Sequence, residues 1–209
     1  MTTFPFEDRA AILELEQQYW RLSTSAERVV EEEIERSMPA ARQRGFLTKD
    51  LFVLVSRWKS KRNTPHYERN TAGNVEATSR VAFEAATEAE AIGSLTRLHG
   101  VQLRTATALL HWMRPDEFPI LDFRVVGALG DADPPRFEST AYYSGVATRV
   151  RALGTKHAIT LRTLDRALWA WQKLEARNIR RLHNACTPCE FPVGDLAEKG
   201  ANLGDPGTG

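Results

Sequence analysis

The sequence predicts an all-α protein, a compact bundle of about eight helices. Apolar residues recur at three- and four-residue spacing along most of the 209 positions, and no segment alternates convincingly with period two. Ser, Thr, Gly and Pro stand where helices of ordinary length would begin and end. Residues 1–183 are expected to form one helical domain, and residues 184–209, rich in Gly, Pro and Asp, a loose tail.

The elements follow in chain order. In "EDRAAILELEQQYWRLS", Ile12, Leu15 and Tyr19 share one side of a helix. A break at residues 23 to 25 separates it from "SAERVVEEEIERSM", and both helices present acidic outer faces. "TKDLFVLVSRWKS" predicts a helix capped by Thr48, with Leu51, Leu54, Val55 and Trp58 on one face. "KRNTPHYERN" reads as a polar loop. Helices over about 71 to 86 and 88 to 98 lead through "HGVQ" into "LRTATALLHWM", which must stop before Pro115. A further helix is expected from Pro119 to Leu129, closed by Gly130, and others near 137 to 153 and 160 to 177. The last carries the stripe Leu161, Leu164, Leu168 and Trp171, and the tryptophans of "LWAW" read as core.

Composition excludes several classes. A net charge of +1 argues against a strongly basic nucleic-acid binder, and no apolar run approaches a membrane span. The N-terminus lacks the basic and apolar regions of a signal peptide, which predicts a cytoplasmic protein. The charge is nevertheless uneven. Residues 1 to 36 hold nine acidic and four basic side chains, residues 149 to 181 nine basic and two acidic, which permits one electropositive face. Cys186 and Cys189 supply only half of a structural zinc site, so they read as reduced, incidental thiols and no metal is expected.

Two features carry candidate chemistry. In "LTRLHGVQLRTATALL" two helices meet through a short link in which Gly100 can adopt a left-handed conformation. The amides of residues 101 to 104 then open the second helix, a site that favours an anion such as phosphate. Downstream, "FPILDFR" sets the carboxylate of Asp122 within an apolar run. A buried charge must be capped, paired or used, and an aspartate just before a helix is a good N-cap.

Taken together, "LHGVQLRTATALLHWMRPDEFPILDFR" resembles the helix-hairpin-helix DNA glycosylases, the superfamily that includes endonuclease III and the oxoguanine glycosylases. Leu98, Gly100, Val101, Thr105 and Ala106 match the family's hairpin pattern L-P-G-V-G-x-K-T-A, and Asp122 falls on its catalytic aspartate without a gap. The match covers about 27 of 209 residues. It implies a two-lobed fold with the active cleft between lobes, and a hairpin of His99, Gly100, Val101, Gln102, Leu103, Arg104 and Thr105 that grips DNA. Some family hairpins also hold a structural monovalent cation. The implied partner is double-stranded DNA carrying a damaged or modified base, the implied state is a monomer, and the implied location is the nucleoid.

The departures sharpen the expectation. Gln102 replaces the second glycine, and Phe123 and Arg124 replace the residues that follow the family's aspartate. Arg104 stands where bifunctional members carry a Schiff-base lysine, and an arginine, protonated near neutral pH, cannot act as that nucleophile. With two cysteines, the family's four-cysteine iron-sulfur motif is absent, so no cofactor is expected. The resemblance therefore implies a monofunctional glycosylase that hydrolyses the N-glycosidic bond and leaves an abasic site, in DNA repair or in defence against base-modified foreign DNA.

Breaking that bond develops positive charge on the sugar, which a fixed carboxylate opposes while it orients or deprotonates water. The extruded base needs a pocket with stacking surface, and cations hold the strand through its phosphates. Trp58, Lys59, Arg62, Arg124 and Tyr142 are candidates for those contacts, with core packing the alternative for Trp58 and Tyr142. Lys59 is also a candidate displaced amine nucleophile. His99 and His111 titrate near physiological pH but lack partners in sequence. Two other readings remain: a non-catalytic DNA-binding module that keeps the hairpin, and a helical protein-interaction domain whose hairpin is only a turn.

Overall fold

The computed structural model describes residues 4–130 and 139–185, with side chains to residue 178; the paired cysteines lie outside the described residues. The described residues form ten α-helices and one short 3-10 turn joined by turns and loops, with no strand among them. The helices are α1 (Arg9–Leu22), α2 (Ser25–Arg44), α3 (Lys49–Lys59), α4 (Thr64–Tyr67), α5 (Ala72–Glu84), α6 (Glu88–Leu95), α7 (Leu103–Met113), α8 (Phe123–Ala128), α9 (Thr140–His157) and α10 (Leu161–Ala185). No helix among the described residues is long and apolar enough to cross a membrane.

Local chemistry explains most boundaries. Asp8, Thr24, Thr48, Thr71, Thr87 and Ser139 each accept a backbone amide at the start of a helix, and Thr24 and Thr87 form full capping boxes with Glu27 and Glu90. Gly45, at φ 75°, closes α2.

Four boundaries differ from expectation. Helix α2 runs through Pro39 to Arg44, because Ile34, Met38 and Ala41 bury one continuous face whose packing outweighs the lost amide bond. The expected loop at 61 to 70 contains the 3-10 turn Lys61–Asn63 and α4, which buries Tyr67 against Phe52. Helix α8 begins at Phe123, not Pro119, since three side chains hold residues 118 to 121 extended: His111 Nδ1 meets the Phe118 carbonyl, the Tyr143 hydroxyl donates to the Pro119 carbonyl, and Thr107 Oγ1 accepts from the Leu121 amide. Helix α10 continues past 177 to Ala185, into the expected tail.

The core joins α1, α2 and α3 to α7, α8 and α10 through Ile12, Ile34, Met38, Phe52, Leu109, Leu110, Val125, Leu164 and Leu168, all buried. Leu161 joins this face and Trp171 packs at its edge, as the stripe predicts. Burial of the α7 face leaves His111 wholly inside, where desolvation, with a smaller push from the Arg162 charge, lowers its pKa to about 3. The ring therefore stays neutral and its Nδ1–H donates to Phe118. It fastens the segment leading to Asp122.

Candidate active-site cavity

The segment 118–122 delivers Asp122 to the N-terminus of α8, where Oδ1 accepts the Arg124 amide at 2.9 Å. The expected cap is therefore real. Its other oxygen, Oδ2, accepts a hydrogen bond from Lys59 Nζ at 2.7 Å, with the two side chains 19% and 10% exposed. Lys59 comes from the last turn of α3, 63 residues earlier. Burial alone would push the Asp122 carboxyl up, but the Lys59 charge and hydrogen bond, followed by the Arg124 amide and guanidinium, outweigh it and hold the pKa below the ordinary value. Asp122 is thus a carboxylate with both oxygens aimed by fixed donors.

This pair lies in the wall of a cavity of about 550 Å³. Helix α1 and its C-cap supply Tyr19 and Ser23, α2 supplies Glu27 and Val30, and α3 supplies Leu54, Arg57, Trp58 and Lys59. Ile120, Asp122, Phe123 and Arg124 close another side, and α10 contributes Arg162, Asp165, Trp169 and Lys173. Arg124 lies over the rings of Phe123 and Trp169, at 4.4 and 5.1 Å from their centroids. Trp58 meets Trp112 edge to face, 5.7 Å between centroids, so it packs and lines the cavity at once.

Behind the cavity lies a buried ion-pair cluster. Glu31, 2% exposed at its side chain, accepts from Arg162 and from Arg166 Nε at 3.0 Å, and Tyr19 donates to its other oxygen at 2.5 Å. Arg166 also reaches Glu35 at 2.7 Å. Burial raises the Glu31 carboxyl, but the two arginines overcome this and hold it below the ordinary range. The acidic N-terminal helices and the basic C-terminal helix therefore neutralise one another here, which removes Arg162 and Arg166 from any electropositive outer face. Glu31 itself is inside rather than on an acidic surface. Arg57, Lys61, Arg124 and Lys173 remain around the cavity.

The α6–α7 turn is built differently. Gly100 has φ 81°, and a Cβ there would meet His66 Cβ at 2.7 Å, so the glycine is required by contact with α4. Asn70 braces the turn from both sides: its Oδ1 accepts the His99 amide at 2.8 Å and its Nδ2 donates to the His99 carbonyl at 3.1 Å. The Val101 amide donates to the Leu98 carbonyl, and Thr105 is buried with its hydroxyl 3.3 Å from that of Tyr67. The Val101 amide and the Thr105 hydroxyl thus serve the turn internally. The carbonyls of Leu98 and His99, which would face a monovalent cation in such a turn, already accept hydrogen bonds from the Val101 amide and Asn70. Gln102 starts α7 without a side-chain cap, followed by Leu103 and Arg104 in the first turn.

Of the residues singled out from sequence, Trp58, Lys59, Asp122 and Arg124 come together around the cavity. The hairpin residues 99 to 105, Arg62 and Tyr142 do not line it. Arg62 is exposed while its neighbour Lys61 points to the cavity, and Tyr142 packs against the core. Asp165, Trp169 and Lys173 also line the cavity, without a motif that marks them, and Trp169 is cavity wall rather than the core residue its setting in "LWAW" predicts. The signal was present: Arg162, Asp165, Trp169 and Lys173 recur at helical spacing, a second stripe beside the leucines. No family model matches the chain, and comparison with curated proteins and with solved structures likewise finds no match.

Proposed function

We propose that the protein is a DNA glycosylase that breaks the N-glycosidic bond of a damaged or modified base flipped out of duplex DNA. The observation that carries this reading is the Asp122 carboxylate, ionised and held by two donors in the wall of a cavity large enough for a nucleotide. As the bond to the base lengthens, Asp122 opposes the positive charge on the sugar and takes a proton from the attacking water. Trp58 and Trp169 offer stacking surface to the extruded base, and Arg57, Lys61 and Arg124 offer charge to the flanking phosphates.

Two further elements belong to the proposal. The uncapped start of α7 at Gln102, Leu103 and Arg104 presents backbone amides to a strand phosphate outside the cavity. The bundle divides into two lobes, with α3 on one side of the cleft and α8 with α10 on the other. Hydrolysis would leave an abasic site and a free base, as Arg104 in place of a hairpin lysine suggests. The 2.7 Å contact favours a second reading, in which the Lys59 amine itself attacks C1′ and the resulting imine permits strand cleavage.

The test is incubation with duplex oligonucleotides carrying damaged or modified bases, followed by alkali to reveal abasic sites. Base release lost in Asp122→Asn supports the assignment, and undiminished release overturns it. Borohydride trapping of a covalent DNA adduct, lost in Lys59→Ala, would select the amine route. Salt-sensitive binding with no abasic product from any duplex would instead mark a non-catalytic DNA-binding module.

A further inference from the structure

Besides Asp122, and Glu27 in its capping box with Thr24, the cavity wall holds a carboxyl that the chemistry above does not use. Asp165 lies on α10 and lines the same cavity as Asp122. Its Oδ2 accepts from Arg162 Nη1 at 2.5 Å, and Oδ1 has no hydrogen bond among the described residues. The side chain is 11% exposed, and that exposure is to the cavity it lines.

The two carboxyls sit in opposite environments. Asp122 has an ammonium and a helix amide directly on its oxygens. Asp165 shares Arg162 with Glu31, so its partner's charge is already divided. The charged and titratable groups around Asp165 are Arg162 on its own helix, Lys59 from α3, Glu31 from α2, Tyr19 from α1 and Asp122 before α8. Burial raises its pKa to about 6; Arg162 and Lys59 oppose that shift, while Asp122 and Glu31 reinforce it. Paired carboxyls with separated proton affinities are the arrangement from which an acid and a base can act in one step.

Resting on the glycosylase reading, we infer that Asp165 is the general acid of this site, protonating the departing base, and that the substrate is accordingly a purine nucleotide. Purines offer the lone pairs of N3 and N7 to that proton, whereas thymine-type bases offer only carbonyl oxygens. In the step, the Asp165 carboxyl proton passes to a purine ring nitrogen and the electron pair of the C1′–N9 bond goes to the base. The water oxygen bonds to C1′ while its proton passes to Asp122. The products are a neutral free purine and a hydroxyl at C1′, and the proton now on Asp122 returns to Asp165 through solvent.

The experiment compares wild type, Asp165→Asn and Asp165→Glu on three duplexes containing hypoxanthine, N7-methylguanine or uracil. Hypoxanthine leaves well only when protonated; N7-methylguanine is already cationic and needs no acid. The expected result is that Asp165→Asn loses about 100-fold or more on hypoxanthine and only a few-fold on N7-methylguanine, while Asp165→Glu restores part of the hypoxanthine rate. Comparing two substrates within one variant cancels any loss of folded protein. For wild type on hypoxanthine, kcat should fall as pH rises through about 6, and this limb should vanish in Asp165→Asn. Equal losses on both purines, a retained pH limb in Asp165→Asn, or wild-type release of uracil alone would overturn the inference. If wild type releases hypoxanthine or N7-methylguanine, the glycosylase reading stands even when the acid assignment fails. No release from any duplex overturns that reading and the acid role with it.

Discussion

The α6–α7 turn and the Asp122 cavity solve different physical problems with different materials. The turn is held by backbone geometry: a glycine at φ 81°, a side-chain amide bracketing His99, and hydroxyls turned inward. Its contacts come from one neighbouring segment, His66 to Asn70, and they are neutral throughout. The cavity is held by charge, with Lys59, Asp122, Asp165, Arg162 and Glu31 drawn from three helices and the segment before a fourth. Each ionised group there is stable only because a partner distant in the chain compensates it. The turn therefore depends on two chain segments in contact, whereas the cavity depends on how several helices pack together.

The largest expected effect lies in the cavity. Asp122→Asn should lower base release by about 10²- to 10⁴-fold with little change in DNA affinity, measured by single-turnover kinetics and by titration. An equal loss from altering the turn would erase the distinction between the two regions. Next is the ion-pair cluster. Glu31→Gln leaves Arg162 and Arg166 without their shared carboxylate, and chemical denaturation should report a loss of about 3–5 kcal/mol. A loss near zero would mean that the cluster is as well solvated as a surface pair.

Gly100→Ala tests the geometric side. The left-handed φ and the approach of His66 Cβ should together cost about 1–3 kcal/mol in the same denaturation assay. An unchanged midpoint would show that α4 yields easily and that the turn is not held by contact. His111 supplies a pH-dependent version. Its folded pKa of about 3 lies below its ordinary 6.5, so the unfolded chain binds a proton that the folded chain refuses. Stability from this group is full above pH 6.5 and declines as pH falls, by up to about 1.4 kcal/mol per unit. Denaturation between pH 7 and 4 should show a shallower decline in His111→Gln than in wild type. The smallest effects concern the exposed cations: Arg57→Ala or Lys61→Ala should each reduce the slope of log affinity against log salt by about one.

Asp122 was legible because one sequence feature serves two roles, cap and candidate carboxylate, and both are local. Thr48 and the stripe of Leu161, Leu164 and Leu168 were legible for the same reason: they depend on neighbours one helical turn away. The α8 start was misplaced because Pro119 is an acceptable first helical residue. What keeps 118–121 extended are the hydroxyl of Thr107, the ring of His111 and the phenol of Tyr143, none of them neighbours in sequence. Trp169 was assigned to the core because a helical tryptophan beside leucines usually packs. Only the position of α3 and α8 reveals that its side of α10 faces an opening.

The chain by itself determined the helical class, the Thr48 cap, a glycine link at residue 100 and the place of Asp122 ahead of a helix, since these follow from spacing and backbone chemistry within a few residues; the bracing of that link by His66 and Asn70 came from the fold. Tertiary structure alone decided that Lys59 meets Asp122, that Glu31 is buried between two arginines, and that Asp165 opens into the same cavity. The reason is that a charge is costly to bury alone, and the partner that makes its burial affordable is chosen by how helices pack across the bundle.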